Sequence, residues 1–369
     1  MRIMHLLKHG LPGNGHVHVA VDLACVQADN GHEVAFVSSG GSYDAVLSAH
    51  RVQLATIPES GGVRKTSRSA TALLKLTQSF RPDVMHAHMM SSALLGFAVS
   101  KVVGAPLITT MHNSFDRHSV LMRLGKVVVA VSEAERRLLI SRGYPSRKVV
   151  TVLNGADGSP REALQAGDIG PLARPCVVTL SGLHKRKAVD DVIAAFAEVK
   201  PEFPDWHLNI IGAGPDRERL TTTADELGMN DSVHFLGSTM APRPLLEDAD
   251  IFASASLADP CPLAVAEARA AGCAIVATAV GGVPEVLDHG RAGQLTPPSD
   301  PPAMAAAFRV LMADPEALAT WRARAQRGAE YFTVQRMAAE YSRVYQSLLA
   351  GERHRTNRVD PSSARSPSR

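Results

Sequence analysis

Between Ile251 and Leu287 the chain reads IFASASLADPCPLAVAEARAAGCAIVATAVGGVPEVL, and this stretch restricts the fold more than any other. Ile251–Ser254 is a short apolar run of strand character. Pro262 suits the first turn of a helix, where its missing N–H costs nothing. Ala274–Thr278 is a second apolar run, followed by Gly281-Gly282 and a helix opening at Pro284-Glu285. The pattern is strand, loop, helix, strand, loop, helix. Asp259 and Glu267 stand eight positions apart, one in the loop and one in the helix. Ionised carboxylates only accept hydrogen bonds, so they suit sugar or ribose hydroxyls and not phosphates. The strand–Gly-Gly–helix corner offers the reverse, free backbone N–H groups at a helix start where a phosphate is welcome. A hydroxyl grip beside a phosphate cradle points to a sugar nucleotide. The plainer reading makes Asp259 a cap and the glycines mere turns.

The same residues carry a resemblance. Asp259, Glu267, Ala268, Gly272, Gly281, Gly282, Pro284 and Glu285 fall in order on the C-terminal signature of the retaining glycosyltransferases of family 4, which have the GT-B fold. The family usually has Glu at the first acidic position, and Asp259 is a methylene shorter. The resemblance implies an α/β architecture of two Rossmann-like domains, parallel sheets facing across a cleft, with a C-terminal helix crossing back to the first domain. It also implies that Asp259 holds the donor sugar, that Glu267 holds the ribose, and that Leu263 lies at the donor site.

The first half keeps the same rhythm. Arg2–Leu7 reads as a strand, residues 10–15 (GLPGNG) as a loop, and Val17, Val21, Ala24 and Ala28 as one face of a helix stopped by Gly31. With Glu33–Ser38 as the next strand this is a Rossmann-type unit. Its glycines, Gly10, Gly13 and Gly15, do not spell GxGxxG, so a dinucleotide site has little support. In the family the matching loop faces the cleft near the donor phosphates, a role the resemblance carries onto Gly15. After the strand Val52–Ile57 comes a basic, flexible start at Arg64, Lys65 and Arg68, then a helix Ala70–Phe80. Arg64 and Lys65 are candidates for contact with an acceptor or lipid headgroups, against the alternative of a mobile surface loop. DVMHAH puts His86 and His88 on one face of a strand, a spacing that suits zinc, although no third ligand with a sensible arrangement follows. LITTMH ends another strand at His112. His88 and His112 stand at carboxyl ends of strands, where active groups of such sheets belong. The resemblance gives His112 the donor sugar and His88 the acceptor side. Packed core histidines are the alternative.

Residues 154–174, rich in Gly, Pro and Ala, read as the linker between an acceptor-side domain (1–172, joined by the returning helix 333–350) and a donor domain (173–332). The donor domain opens with Cys176–Leu180 and a helix marked by Val189, Val192, Ile193, Phe196 and Val199. Lys185-Arg186-Lys187 enters that helix, cations beside exposed amides that would clamp a diphosphate. The family carries Gly-Arg-Leu, three residues, Lys-Gly here. Matching its Lys to Lys187 puts Gly182 at its Arg and Ala188 at its second Gly, leaving Arg186 to supply the missing charge. Gly212 closes the strand Trp206–Ile211 in a loop that packs around the nucleotide in relatives. Asp248-Ala249-Asp250 spells the Asp-x-Asp of metal-dependent glycosyltransferases of the other main fold. It precedes its strand, so it reads as a helix-to-strand turn, and no metal is expected. Residues 301–332 have a helical pattern, and 351–369 have the composition of a disordered tail.

Composition adds bounds. A chain of 369 residues, 45% hydrophobic and 20% charged, fits two domains with full cores. No apolar run approaches a bilayer-spanning length, and MRIMHLLKHG is too short and too soon charged for a signal peptide. Four scattered cysteines suit a reducing cytoplasm, with Cys261 as a packed thiol. Residues 1–172 carry 18 Lys/Arg against 12 Asp/Glu, and 173–350 carry 16 against 22. A basic first half fits an anionic acceptor or an anionic membrane surface, and chance asymmetry fits it as well. The expectation is a cytoplasmic enzyme, with peripheral contact at the inner membrane face. It would move a sugar from a UDP-, GDP- or ADP-sugar to a glycan or lipid-linked acceptor, with retained configuration and no cofactor. Nothing in the pattern points to nucleic acid. An epimerase or hydrolase of the same fold, or a non-catalytic nucleotide-sugar binder, are the alternatives, the latter prompted by the departures at Asp259 and Gly182.

Overall fold

The computed structural model describes residues 1–11, 13–58, 62–164 and 169–351, except the side chains of 62–65. The expected tail lies outside these residues beyond Gly351. The first sheet holds β1 (Arg2–Leu6), β2 (Glu33–Ser38), β3 (Gln53–Thr56), β4 (Val84–Ala87), β5 (Leu107–Met111), β6 (Val127–Ala130) and β7 (Val149–Thr151). Their order is β3-β2-β1-β4-β5-β6-β7, and every pairing is parallel. The second holds β8 (Cys176–Leu180), β9 (His207–Ile211), β10 (Val233–Gly237), β11 (Ile251–Ser254), β12 (Ala274–Thr278) and β13 (Gln294–Thr296). It is also wholly parallel, in the order β10-β9-β8-β11-β12-β13. Parallel strands need crossover helices on both faces, which is why VVVA in β6 and AIVAT in β12 are apolar throughout and fully buried. The two-Rossmann architecture expected from the sequence is the one observed.

Several local expectations change. The helix expected over Ala70–Phe80 begins at Gly62, so Arg64 and Lys65 lie on helical backbone and not in a flexible loop. Arg and Lys are good helix formers, and no proline intervenes before Phe80. The side chains of Arg64 and Lys65 lie outside the described residues. In the linker's described first part, Ser159 caps a 3-10 turn at Pro160–Ala163, and Arg161 is only 3% exposed. The long C-terminal helical pattern is split into Pro301–Ala313 and Pro315–Gln326, because Asp314 caps a fresh helix that opens on a proline. Asp250 of the Asp-x-Asp triplet accepts from Cys176 N–H at 2.9 Å and from Arg174 at 2.7 Å, tying the start of β11 to that of β8. Among the described residues no helix is long and apolar enough to cross a membrane.

The last helix, Val334–Leu349, returns to the first half. Thr333 caps it, and Val334, Met337, Ala338, Tyr341 and Tyr345 form its buried stripe against the helix Gly15–Asp29 and the first sheet. Where it sets out, its backbone meets the linker. Ala156 N–H donates to Phe332 O at 2.7 Å, and Val334 N–H to Asp157 O at 2.9 Å. Gly155 is needed at this crossing, because a Cβ there would stand 2.3 Å from Thr333 O.

Candidate active site

Each sheet reverses its strand order once, between β1 and β4 and between β8 and β11. Ligands of doubly wound sheets bind outside the carboxyl ends of strands at such points. The loop after β1 leads to Gly15, and β4 leads to His88; the loop after β8 leads to Arg186 and Lys187, and β11 leads to Asp259. The two halves approach closely there. A Cβ on Gly15 would lie 3.6 Å from the Leu263 side chain, and Asn154 donates to Cys261 O at 3.0 Å. Burial raises the Cys261 thiol to about 12, so it is an inert packed group.

Lys187 Nζ donates to Asp259 Oδ2 at 2.5 Å, with both side chains largely buried. The two groups expected to share the donor are therefore joined to each other. Arg186 donates to Ala258 O at 2.7 Å and lies over the Phe115 ring, 4.8 Å from its centre, so it links the Asp259 loop to the loop after β5. At Gly182, where the family's Arg would stand, a Cβ would come within 3.3 Å of the His184 ring, which fills that space. Ala188 adopts φ 44, ψ 47, the left-handed conformation that explains the family's glycine. Gly212 serves a close approach of backbone, since a Cβ would overlap Ser181 O at 1.8 Å.

The Gly-Gly corner differs from expectation. Gly282 N–H is not free for a phosphate: it donates to Asp259 O at 3.0 Å. A Cβ on Gly281 would stand 2.0 Å from Asp259 O, and one on Gly282 2.1 Å from Pro260 O. Both glycines let the Asp259–Pro260 backbone lie directly against the corner and so fix where Asp259 points. Glu285, just beyond, reaches into the other half and accepts from Glu133 and Ala134 N–H at 2.8 and 2.7 Å, capping the helix Glu133–Ser141.

Glu267 has a partner that sequence reasoning missed. Arg161 makes a two-point bond to Asp22 at 2.9 and 3.0 Å, Ser159 donates to the same carboxylate, and Glu267 lies 3.5 Å from Arg161. Asp22 and Glu267 keep Arg161 charged against the loss of water around it. Burial raises the Glu267 pKa, and Arg161 offsets part of that rise. The cleft beside Glu267 is lined by Ser159, Arg161, Met240, Ala241, Arg243 and Ala270. An acid isolated in the apolar run VHVAVDLACV was the sequence signal for Asp22.

His112 is half-buried at the end of β5, with its ring 6.0 Å from that of His16 in the first turn after Gly15. His88, expected on the acceptor side, is 3% exposed and sits behind His112, bonded to it at 3.1 Å. It faces the core because the alternation of β4 turns it under the helix Gly15–Asp29, so any influence on substrate passes through His112. The third imidazole not found downstream lies upstream: His5, His86 and His88 have ring nitrogens within 4.8 Å of one another. All their ring nitrogens already have hydrogen-bond partners, which a metal would have to displace.

Comparison with known proteins agrees with this geometry. Residues 13–159 match the family model "Glycosyltransferase Family 4" and residues 169–328 match "Glycosyl transferases group 1". A glycogen synthase of Mycobacterium tuberculosis is 30% identical over 310 residues, 78% of this chain and 74% of that protein. The N-acetyl-alpha-D-glucosaminyl L-malate synthase of Bacillus anthracis is 25% identical over 361 residues, 91% of this chain and 94% of that enzyme. The crystal structure of Anabaena HepE in complex with UDP and glucose superposes with a TM-score of 0.80 at 23% identity, covering 94% of this chain and all of that one. Two facing doubly wound sheets with a returning C-terminal helix define the GT-B class. Within it, the chain belongs to the family 4 glycosyltransferases.

Proposed function

We propose that the enzyme transfers a sugar from a nucleotide-diphosphate sugar to a hydroxyl of a glycan or glycolipid acceptor in cell-surface polysaccharide or glycoconjugate synthesis. The configuration at the anomeric carbon is retained and no metal takes part. The observation that carries this reading is the Lys187–Asp259 pair at the second switch point, with Glu267 on the helix that follows. Residues 173–332 hold the donor, and 1–172 with the returning helix take the acceptor.

The reaction separates a diphosphate from a carbon that gains positive charge, so stabilising the leaving group is the main task. Lys187 supplies that charge and Arg186 adds to it from the same turn. Asp259 orients Lys187 until the donor arrives, then accepts from the donor sugar's hydroxyls, and Glu267 accepts from the ribose. The C1–oxygen bond to the diphosphate breaks with its electron pair going to the phosphate oxygen. The acceptor oxygen bonds to C1 on the same face, and its proton passes to that phosphate oxygen. Metal independence is supported by Asp250, whose carboxylate is already bonded to Cys176 N–H and Arg174. A second, shallow pocket lined by Leu6, Leu7, Lys8, Ile57, Leu73 and Leu95 at the carboxyl ends of β1 and β3 favours an acceptor with an apolar part. Such an acceptor would bring the enzyme to the membrane surface.

Titration calorimetry with UDP-, GDP- and ADP-sugars, magnesium omitted, tests the donor site. One donor should bind, and Glu267→Ala should weaken it at least about tenfold, as loss of hydrogen bonds to a charged group implies. Failure of every donor to bind would overturn the assignment.

A further inference from the structure

Behind His112 runs an unbroken line of hydrogen bonds. Gln27 Oε1 lies 2.8 Å from His5 Nε2, His5 Nδ1 lies 2.9 Å from His88 Nε2, and His88 Nδ1 lies 3.1 Å from His112 Nε2. On the other side of the same amide, Gln27 Nε2 donates to the Tyr345 hydroxyl of the returning helix at 3.4 Å. His5 pairs with His86 across β1 and β4, so the histidines line the sheet face that this helix covers. Loss of water on burial keeps the imidazoles neutral, lowering His5 to about 4 and His88 and His112 well below their ordinary value.

A neutral imidazole carries one N–H and one bare nitrogen, so each link dictates the next. The Gln27 oxygen can only accept, which puts the His5 proton on Nε2. His5 Nδ1 is then bare and accepts from His88 Nε2–H. His88 Nδ1 accepts in turn from His112 Nε2–H. That leaves His112 Nδ1 bare, and no group among the described residues bonds to it.

We propose that this line is a tautomer relay in which the Gln27 amide fixes His112 as a hydrogen-bond acceptor toward the substrate. Gln27, His5 and His88 are positioning residues acting through His112. The bare nitrogen selects a sugar hydroxyl, which can donate, over an ether or carbonyl oxygen, which cannot. This selectivity rests on the donor-site reading above, whereas the relay itself does not. The branch through Tyr345 continues to His86 Nδ1 at 2.7 Å, from His86 Nε2 to Thr110 Oγ1 at 2.7 Å, and on to Tyr341 at 3.0 Å. Turning the amide over would reverse every link and make His112 a donor, so the outcome is binary.

The test is long-range proton–nitrogen NMR on the full chain carrying isotope-labelled histidine, with His112→Asn to assign the signal. The wild type should show His112 in a single tautomer, protonated on Nε2. Gln27→Met keeps the side-chain length but removes both amide bonds, and should move the His112 signals to the average of two tautomers. Tyr345→Phe keeps the ring, frees the amide to turn over, and should also abolish the single tautomer. His112 protonated on Nδ1 in the wild type, or unchanged in Gln27→Met, would overturn the relay. Should Gln27→Met not fold, an unchanged His112 in Tyr345→Phe would overturn it equally. No donor is added, so failure of this readout and failure of donor binding are separate results.

Discussion

Ala188 holds a left-handed backbone with a side chain where glycine is the comfortable residue. The strain of about 1–2 kcal/mol is partly offset by glycine's extra freedom in the unfolded chain. Ala188→Gly should therefore stabilise the protein by roughly 0.5–1 kcal/mol, read as a higher denaturation midpoint at unchanged slope. Glu267 illustrates a different conflict, a carboxyl group held away from water in the fold. Its pKa is raised by burial, so the folded state holds the proton more tightly than the unfolded chain. The resulting stability is present below the ordinary glutamate range and is lost as pH rises through the raised value. Glu267→Gln removes that loss. Its melting temperature relative to wild type should climb as pH rises above the ordinary glutamate range, while donor binding falls. A flat difference over that rise would show that Arg161 compensates Glu267 fully.

Among the elements, the helix Glu133–Ser141 has an N-terminus served from outside. Ser132 accepts from Glu135 N–H at 3.1 Å, and Glu285 from the other half accepts from the two preceding amides. A carboxylate at this position satisfies orphan donors and complements the helix dipole. Glu285→Ala should cost about 1–2 kcal/mol, with faster hydrogen exchange at the Glu133 and Ala134 amides and little change elsewhere in that helix. This contact also marks how far sequence reading reaches. β11, the helix after Pro262, β12 and the Gly-Gly corner were legible because each follows from local periodicity and turn chemistry. The tasks of Gly281 and Gly282 were half legible. Their place at a strand-to-helix corner was plain, but that Asp259 O would lie against Gly281 and take the Gly282 amide expected for phosphate depends on how two loops meet. The Arg161–Asp22 pair joins residues far apart in the chain, and His5 reaches His88 only through the register of β1 on β4. No pattern within one element encodes either.

For the whole molecule, the returning helix is part of the first half's core. Val334, Met337, Tyr341 and Tyr345 are completely buried. At about 2 kcal/mol or more each, their burial amounts to roughly 8 kcal/mol, comparable with the entire stability of a typical domain. A chain ending at Phe332 should lose its cooperative melting transition and its aromatic circular dichroism. Retention of both would show that the first half folds without the helix.

The crossing of linker and returning helix has a mechanical meaning. Two covalent connections between the halves lie side by side there, stitched by backbone bonds between Ala156 and Phe332 and between Val334 and Asp157. Two adjacent threads bonded to each other resist sliding and twisting of one half on the other more than rocking about the crossing. Rocking about the crossing would work against the approach of Leu263 to Gly15 and the bonds of Glu285 to the Glu133 and Ala134 amides.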